Sequence, residues 1–226
     1  MNEAYKDKYR KIRHEDCLQF ESFDRTYNLN TSHILIQLDD GISRPGIEKN
    51  DDKFETSNGF QNFPMVCLET INEEIEKIAD MSEYKFIDIG SGKGKVLFNN
   101  LIKNAKYKSY VGIEIDPEYY NVSLENLQNT NIQITKEISF LNIDAMEYEC
   151  INEPTVYFLN RPFSIDYNNK WLEKNLEVLL NNKTIIISAH PDFDIDMSYE
   201  KAIGMDPVDT DIDNFYFANI FKSKNV

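Results

Sequence analysis

The sequence predicts an α/β fold, a mostly parallel sheet with helices on both faces and a polar N-terminal extension. Three observations carry this. Apolar runs of strand length recur from residue 85 to the C-terminus, most with helical periodicity between them. A glycine-rich loop, "GSGKG" (90–94), closes the first of those runs. Acids then stand at or just beyond the ends of successive runs. Repeated strand–helix units give parallel neighbours, and ligands of such sheets collect beyond the carboxyl ends of the strands.

In chain order, Tyr5, Tyr9 and Ile12 share one helix face, which predicts an N-terminal helix over residues 2–23. A long polar stretch follows to about Phe60, punctuated by Gly and Pro. Loops of that length inside compact domains are usually functional or mobile. Leu68, Ile71, Ile75 and Ile78 recur on one face and predict an amphipathic helix over 65–80. "KFIDI" (85–89) reads as a buried strand, 93–104 as a helix and "YVGIEI" (110–115) as the next strand. Pro117 opens a helix with Tyr120, Leu124 and Leu127 on one face. "ISFLNI" (138–143) and "TVYFL" (155–159) are strands with too little chain between them for a long helix. Trp171, Leu172, Leu176, Leu179 and Leu180 mark a helix, and "TIIISA" (184–189) reads as a fully buried strand. "FYFANIFK" (215–222) is the expected last strand, with a weaker signal near 198–204. Two regions result: residues 1–64, a helix and a segment expected to cover a ligand, and 65–226, the α/β domain.

The 226 residues include 24 Lys plus Arg against 39 Asp plus Glu, a formal charge of −15. Such a surface argues against nucleic acid as a partner, because nucleic-acid affinity rests on cations that neutralise phosphates. No apolar run reaches the length of a membrane span. The N-terminal residues mix both charge signs without an apolar centre, so no secretory leader and a cytoplasmic location are expected. Cys17, Cys67 and Cys150 and His14, His33 and His190 are scattered. Asp192, Asp194 and Asp196 alternate as rim acids do, and no metal site is expected.

Asp88-Ile89-Gly90-Ser91-Gly92-Lys93-Gly94 is not a Walker loop, which needs Gly-Lys-Ser/Thr after four free positions. Its third glycine comes one residue too early for the dinucleotide fingerprint, and Asp88 would repel a pyrophosphate. Glu114 ends the second strand, where an acid accepts hydrogen bonds from both hydroxyls of a ribose. Asp116, before Pro117, suits a helix N-cap. Asp144 follows the third strand.

These motifs resemble those of class I S-adenosylmethionine-dependent methyltransferases. With "FDRTYNLNTS" (23–32), "GIEIDPEYYNVSLENL" (112–127) and "TVYFLNRPF" (155–163), they look like a mostly uncharacterised bacterial family with a Gly-Ser-Gly-Lys-Gly first motif. The resemblance covers about residues 20–222 and implies a Rossmann-like, mostly parallel seven-stranded sheet. It also implies S-adenosylmethionine as cofactor: Asp88 near the ammonium, Gly90, Ser91, Gly92 and Gly94 along the methionine and ribose, and Glu114 on the diol with Ile115 beside it. Asp144 would accept from the adenine amine, next to the Ala145 backbone. Tyr27 and Thr31 of the covering segment, with Asn160, complete the set.

Asn160-Arg161-Pro162-Phe163 departs from the Asn-Pro-Phe of that family. If Asn160 keeps the family's role, it would accept from an amine nucleophile; if Pro162-Phe163 sets the register instead, Arg161 takes the asparagine position and would grip a carboxylate or phosphate on the acceptor. His190, just after the fifth strand, is the candidate base. The function expected is methyl transfer to O or N of a small-molecule or sugar-like acceptor. Methylation of a protein side chain, such as lysine, and non-catalytic binding of the cofactor are the alternatives. The sequence leaves the oligomeric state open.

Overall fold

The computed structural model describes residues 22–32, 35–37, 43–45, 63–160, 162–163, 165–189, 205–208 and 218–226. Helix α1 spans 22–27, and β1 (Leu35–Gln37) and β2 (Ser43–Pro45) form an antiparallel pair. The polar stretch read as loop therefore contains regular structure. Of the helix expected over 2–23, only residues 22 and 23 are described, and both lie in α1.

Helix α2 (Met65–Glu76) leads through a 3₁₀ turn (Met81–Glu83) into β3 (Lys85–Ile89). Then come α3 (Lys95–Ile102), β4 (Ser109–Glu114), α4 (Pro117–Asn129), β5 (Glu137–Asn142) and β6 (Thr155–Leu159). Helix α5 (Ile165–Asn181), β7 (Thr184–Ser188), β8 (Asp206–Pro207) and β9 (Asn219–Lys222) complete the order. The main sheet runs β5-β4-β3-β6-β7-β9-β8; β9 is antiparallel to both β7 and the two-residue β8. The other contacts are parallel. The tail strand expected over 215–222 is described at 219–222; 215–217 and the weak signal at 198–204 lie outside the described residues. Strand β8 has no apolar pattern, which is why the sequence did not announce it.

β3 enters the sheet first and ends at its middle, flanked by β4 on one side and β6 on the other. Connections from those neighbours leave in opposite directions, so a crevice opens at the carboxyl end of β3. Side chains alternate across the sheet with period two. Phe86, Val156, Phe158 and Ile187 join one core with α2 and α3, while Ile87, Tyr157, Leu159 and Ile186 join the other with α5. On the first face Phe86 stacks on Phe158 with ring centroids 5.9 Å apart. On the second, fully buried Trp171 meets Tyr157 edge-on at 5.7 Å. Aromatic pairs of this kind stabilise by about 0.5–1.5 kcal/mol beyond area burial.

The start of α4 forms as the sequence dictates. The Asp116 carboxylate accepts the Glu118 N–H at 2.8 Å, and Pro117 supplies a preset φ at the first helical position. Between β5 and β6 the chain makes only a short turn over 145–147. The helix expected over 93–104 begins two residues later, because the glycine loop occupies 90–94.

Candidate functional site

The glycine loop is tied to the end of β4 by three backbone-donated hydrogen bonds, and a fourth ties the start of α4 there. Gly90 and Ser91 N–H both donate to the Ile113 carbonyl at 2.9 Å. Gly92 N–H donates to Glu114 Oε2 at 2.7 Å, and Asp116 N–H to Glu114 Oε1 at 2.8 Å. Glu114 thus bridges the loop and the start of α4. Asn142, at the end of β5, donates to the carbonyls of Glu114 and Ile115 at 2.9 and 3.1 Å and pins that edge from the other side. Nothing in the sequence pattern marks Asn142, since an asparagine at a strand end looks like turn punctuation.

Three glycines of the loop have left-handed backbone: Gly90 at φ 76°, Gly92 at 54° and Gly94 at 84°. A side chain at Gly94 would stand 2.8 Å from Phe140 Cζ and 3.0 Å from Phe98, so both space and torsion demand glycine. A Cβ at Gly90 would meet Pro162 Cβ at 3.0 Å. At these two positions the chain itself makes a close approach to the backbone. Gly92 is the member whose N–H reaches a carboxylate.

Asp88 lies at the carboxyl end of β3 and is 2 % exposed. Burial first, then the neighbouring Glu114 charge, push its carboxyl up to about 8, and no hydrogen bond from the described residues counters them. Burial also raises Glu114, but the N–H groups of Asp116 and Gly92 pull it back. The two acids are therefore held differently: one anchored by N–H donors, the other short of positive charge. Asp144 is half-buried beyond β5, and its Oδ1 accepts the Met146 N–H at 2.8 Å, closing the turn that places Ala145 in the core. Buried Ser91 keeps its hydroxyl unpartnered among the described residues.

Asn160 follows β6 and is half-buried beside the crevice. Arg161 and His190 lie outside the described residues, as do His33 and the alternating acids Asp192, Asp194 and Asp196. Among the described residues no cluster of His, Cys, Asp or Glu could hold a metal ion, and no helix is long and apolar enough to cross a membrane.

Tyr27 and Thr31, in the segment expected to cover the ligand, are held by hydrogen bonds to the residues after α4 and to Asp24. The Tyr27 carbonyl accepts Thr130 Oγ1 at 2.8 Å and Asn131 N–H at 3.2 Å, at the far end of α4 from the glycine loop. That end lies about 20 Å along the helix axis from Asp116. Thr31 is buried, and both its N–H and its hydroxyl donate to the Asp24 carboxylate at 2.7 and 2.6 Å.

No family model and no curated protein matches the chain. Solved structures do. A magnesium protoporphyrin IX methyltransferase from Synechocystis PCC 6803, with bound S-adenosylmethionine, gives a TM-score of 0.52 at 11 % identity, covering 73 % of this chain and 85 % of that one. A proposed RNA methyltransferase from Pyrococcus horikoshii gives 0.51 at 14 %, covering 76 % and 93 %. At these identities the likeness is one of architecture: the chain shares the Rossmann-like methyltransferase fold of those proteins.

Proposed function

We propose that this chain is an S-adenosylmethionine-dependent methyltransferase acting on an oxygen or nitrogen nucleophile of a small-molecule or sugar-like acceptor. The observation that carries the reading is the set of acids at the carboxyl edge: Asp88 near the end of β3, Glu114 ending β4 and Asp144 just past β5, on three adjacent strands. A ligand with a cation at one end, a diol in the middle and an exocyclic amine at the other matches three carboxylates in a row.

The residues present fit that ligand. Asp88 is a buried acid without a countercharge, and an ammonium beside it supplies one. Each Glu114 oxygen accepts one N–H and retains a second acceptor position for a ribose hydroxyl. Asp144 has one oxygen committed to Met146 and offers the other to an amine, with the Ile115 and Ala145 backbones flanking the base. Gly90, Ser91, Gly92 and Gly94 bring the loop close, and Asn160 stands where the methyl group would be presented. Bound there, the cofactor supplies a methyl group already activated on a sulfonium.

The protein's part is alignment, which in well-oriented model reactions is worth about 7–11 kcal/mol. Asn160 orients the nucleophile by accepting its hydrogen, Arg161 holds an anionic group on the acceptor, and His190 takes a proton where the nucleophile must lose one. The charge of −15 favours a small acceptor over nucleic acid. Calorimetry with S-adenosylmethionine, S-adenosylhomocysteine and NAD tests the cofactor: tighter binding of NAD overturns the assignment. Labelled methyl transfer into metabolite, protein and RNA pools then tests the acceptor. Label confined to protein would replace the small-molecule reading with side-chain methylation, and none anywhere would leave a binding protein.

A further inference from the structure

Resting on the reading that the glycine loop holds the methyl donor, we propose that Asn126 is a positioning residue for that loop. It joins residues 24–32 and the loop into one mechanical unit. Asn126 sits inside α4 and is 3 % exposed, an unfavourable place for a short amide side chain unless its groups are satisfied elsewhere. They are. Its Oδ1 accepts the Asn30 N–H at 2.7 Å, and its Nδ2 donates to the Asn30 carbonyl at 3.2 Å and to the Lys93 carbonyl at 3.0 Å. One side chain thus reads both backbone groups of Asn30, as a neighbouring strand would, and also fixes the Lys93–Gly94 peptide of the glycine loop.

The segment it grips is stiff. The Asp24 carboxylate receives four hydrogen bonds, from the N–H and hydroxyl of Thr31 and of Ser32, all between 2.6 and 2.7 Å. Asn28, at φ 53°, donates to the Asn129 carbonyl at 2.6 Å, and Asn131 Nδ2 donates to the Thr26 carbonyl at 2.9 Å. From there the chain runs back along α4 to the loop, where Lys93 Nζ donates to the Ser32 carbonyl at 3.3 Å and lies 5.6 Å from the Tyr119 ring centre. Fixing the Lys93 carbonyl restrains the Lys93–Gly94 peptide and, through the Gly92–Lys93 peptide before it, the Gly92 N–H that reaches Glu114. Residues 24–32 thereby brace the loop from behind, acting through Asn126.

The test compares the full chain with Asn126→Asp and Asn126→Ala. The aspartate keeps the acceptor for Asn30 but removes both donors. Each variant is expected to weaken S-adenosylhomocysteine binding at least tenfold and to speed amide exchange in 91–95 and in 24–32 together. Asn126→Asp is expected to be the worse binder per degree of lost Tm, since its charge faces the Lys93 carbonyl. In the wild-type protein without ligand, the two stretches are expected to open with one common free energy, a measurement that needs no variant to fold. Independent opening overturns the proposal, as does a folded variant whose exchange at 91–95 matches wild type. Failure of the wild type to bind S-adenosylhomocysteine overturns the cofactor reading instead, while the exchange data still judge the coupling.

Discussion

Replacing Asp88 with asparagine should change how stability depends on pH. In the folded chain the Asp88 carboxyl is 2 % exposed and raised from its ordinary 3.8 to about 8. A carboxyl raised by folding favours the native state fully below its unfolded value, and the contribution is lost as pH climbs through the folded value. Between pH 5 and pH 7 the unfolded chain carries the charge and the folded chain mostly does not. Each pH unit therefore removes about 1.36 kcal/mol, or about 2.7 kcal/mol over the two. Asp88→Asn has nothing to ionise there, and its amide is close in size. Urea denaturation of both proteins without ligand at pH 5, 6 and 7 should show the gap moving in the variant's favour by about that amount. A gap that stays constant across the range refutes the reasoning.

Other outcomes follow from the same site. At pH 7, calorimetry of S-adenosylmethionine binding in buffers of different ionisation enthalpy should show protons released, because an ammonium beside Asp88 pulls its raised carboxyl back down. Proton uptake would place the cation elsewhere. Glu114→Gln presents an N–H₂ to one of two backbone N–H donors, so binding of S-adenosylhomocysteine should fall at least tenfold and stability by about 1–3 kcal/mol. Equal affinity in the variant would remove Glu114 from the site. Gly94→Ala meets Phe140 at 2.8 Å with its backbone at φ 84°, and its urea midpoint should show a loss of about 1–3 kcal/mol even without ligand. An unchanged midpoint would mean the loop repacks freely.

The elements that set the fold were open to reading because their causes are local. β3 falls at the five residues its apolar run marks, and α4 starts where an acid before proline can cap it. The placement of Glu114 and Asp144 at or next to strand ends was equally visible. What stayed hidden depends on partners far away in sequence. Asn126 faces its neighbours from the polar side of an amphipathic pattern, where an asparagine reads as solvated, and its partner Asn30 lies ninety-six positions earlier. Asp24 looked like a charged residue in a polar stretch; its four donors come seven and eight residues later, across a turn that no apolar period announces. The space at Gly90 is claimed by Pro162, a pairing that only β3 lying beside β6 creates.

That division among the glycines bears on how such chains change over generations. Gly90 and Gly94 are held in place by Pro162, Phe140 and Phe98, so a descendant that had abandoned its chemistry would still lose stability by replacing them. Asp88 is under the opposite pressure, since its burial opposes folding at neutral pH unless a ligand relieves it. In a lineage drifting from use, the acid would be the first to vanish and the glycines the last. Comparing the two rates of loss among homologues would separate working members from relics that merely retain the loop.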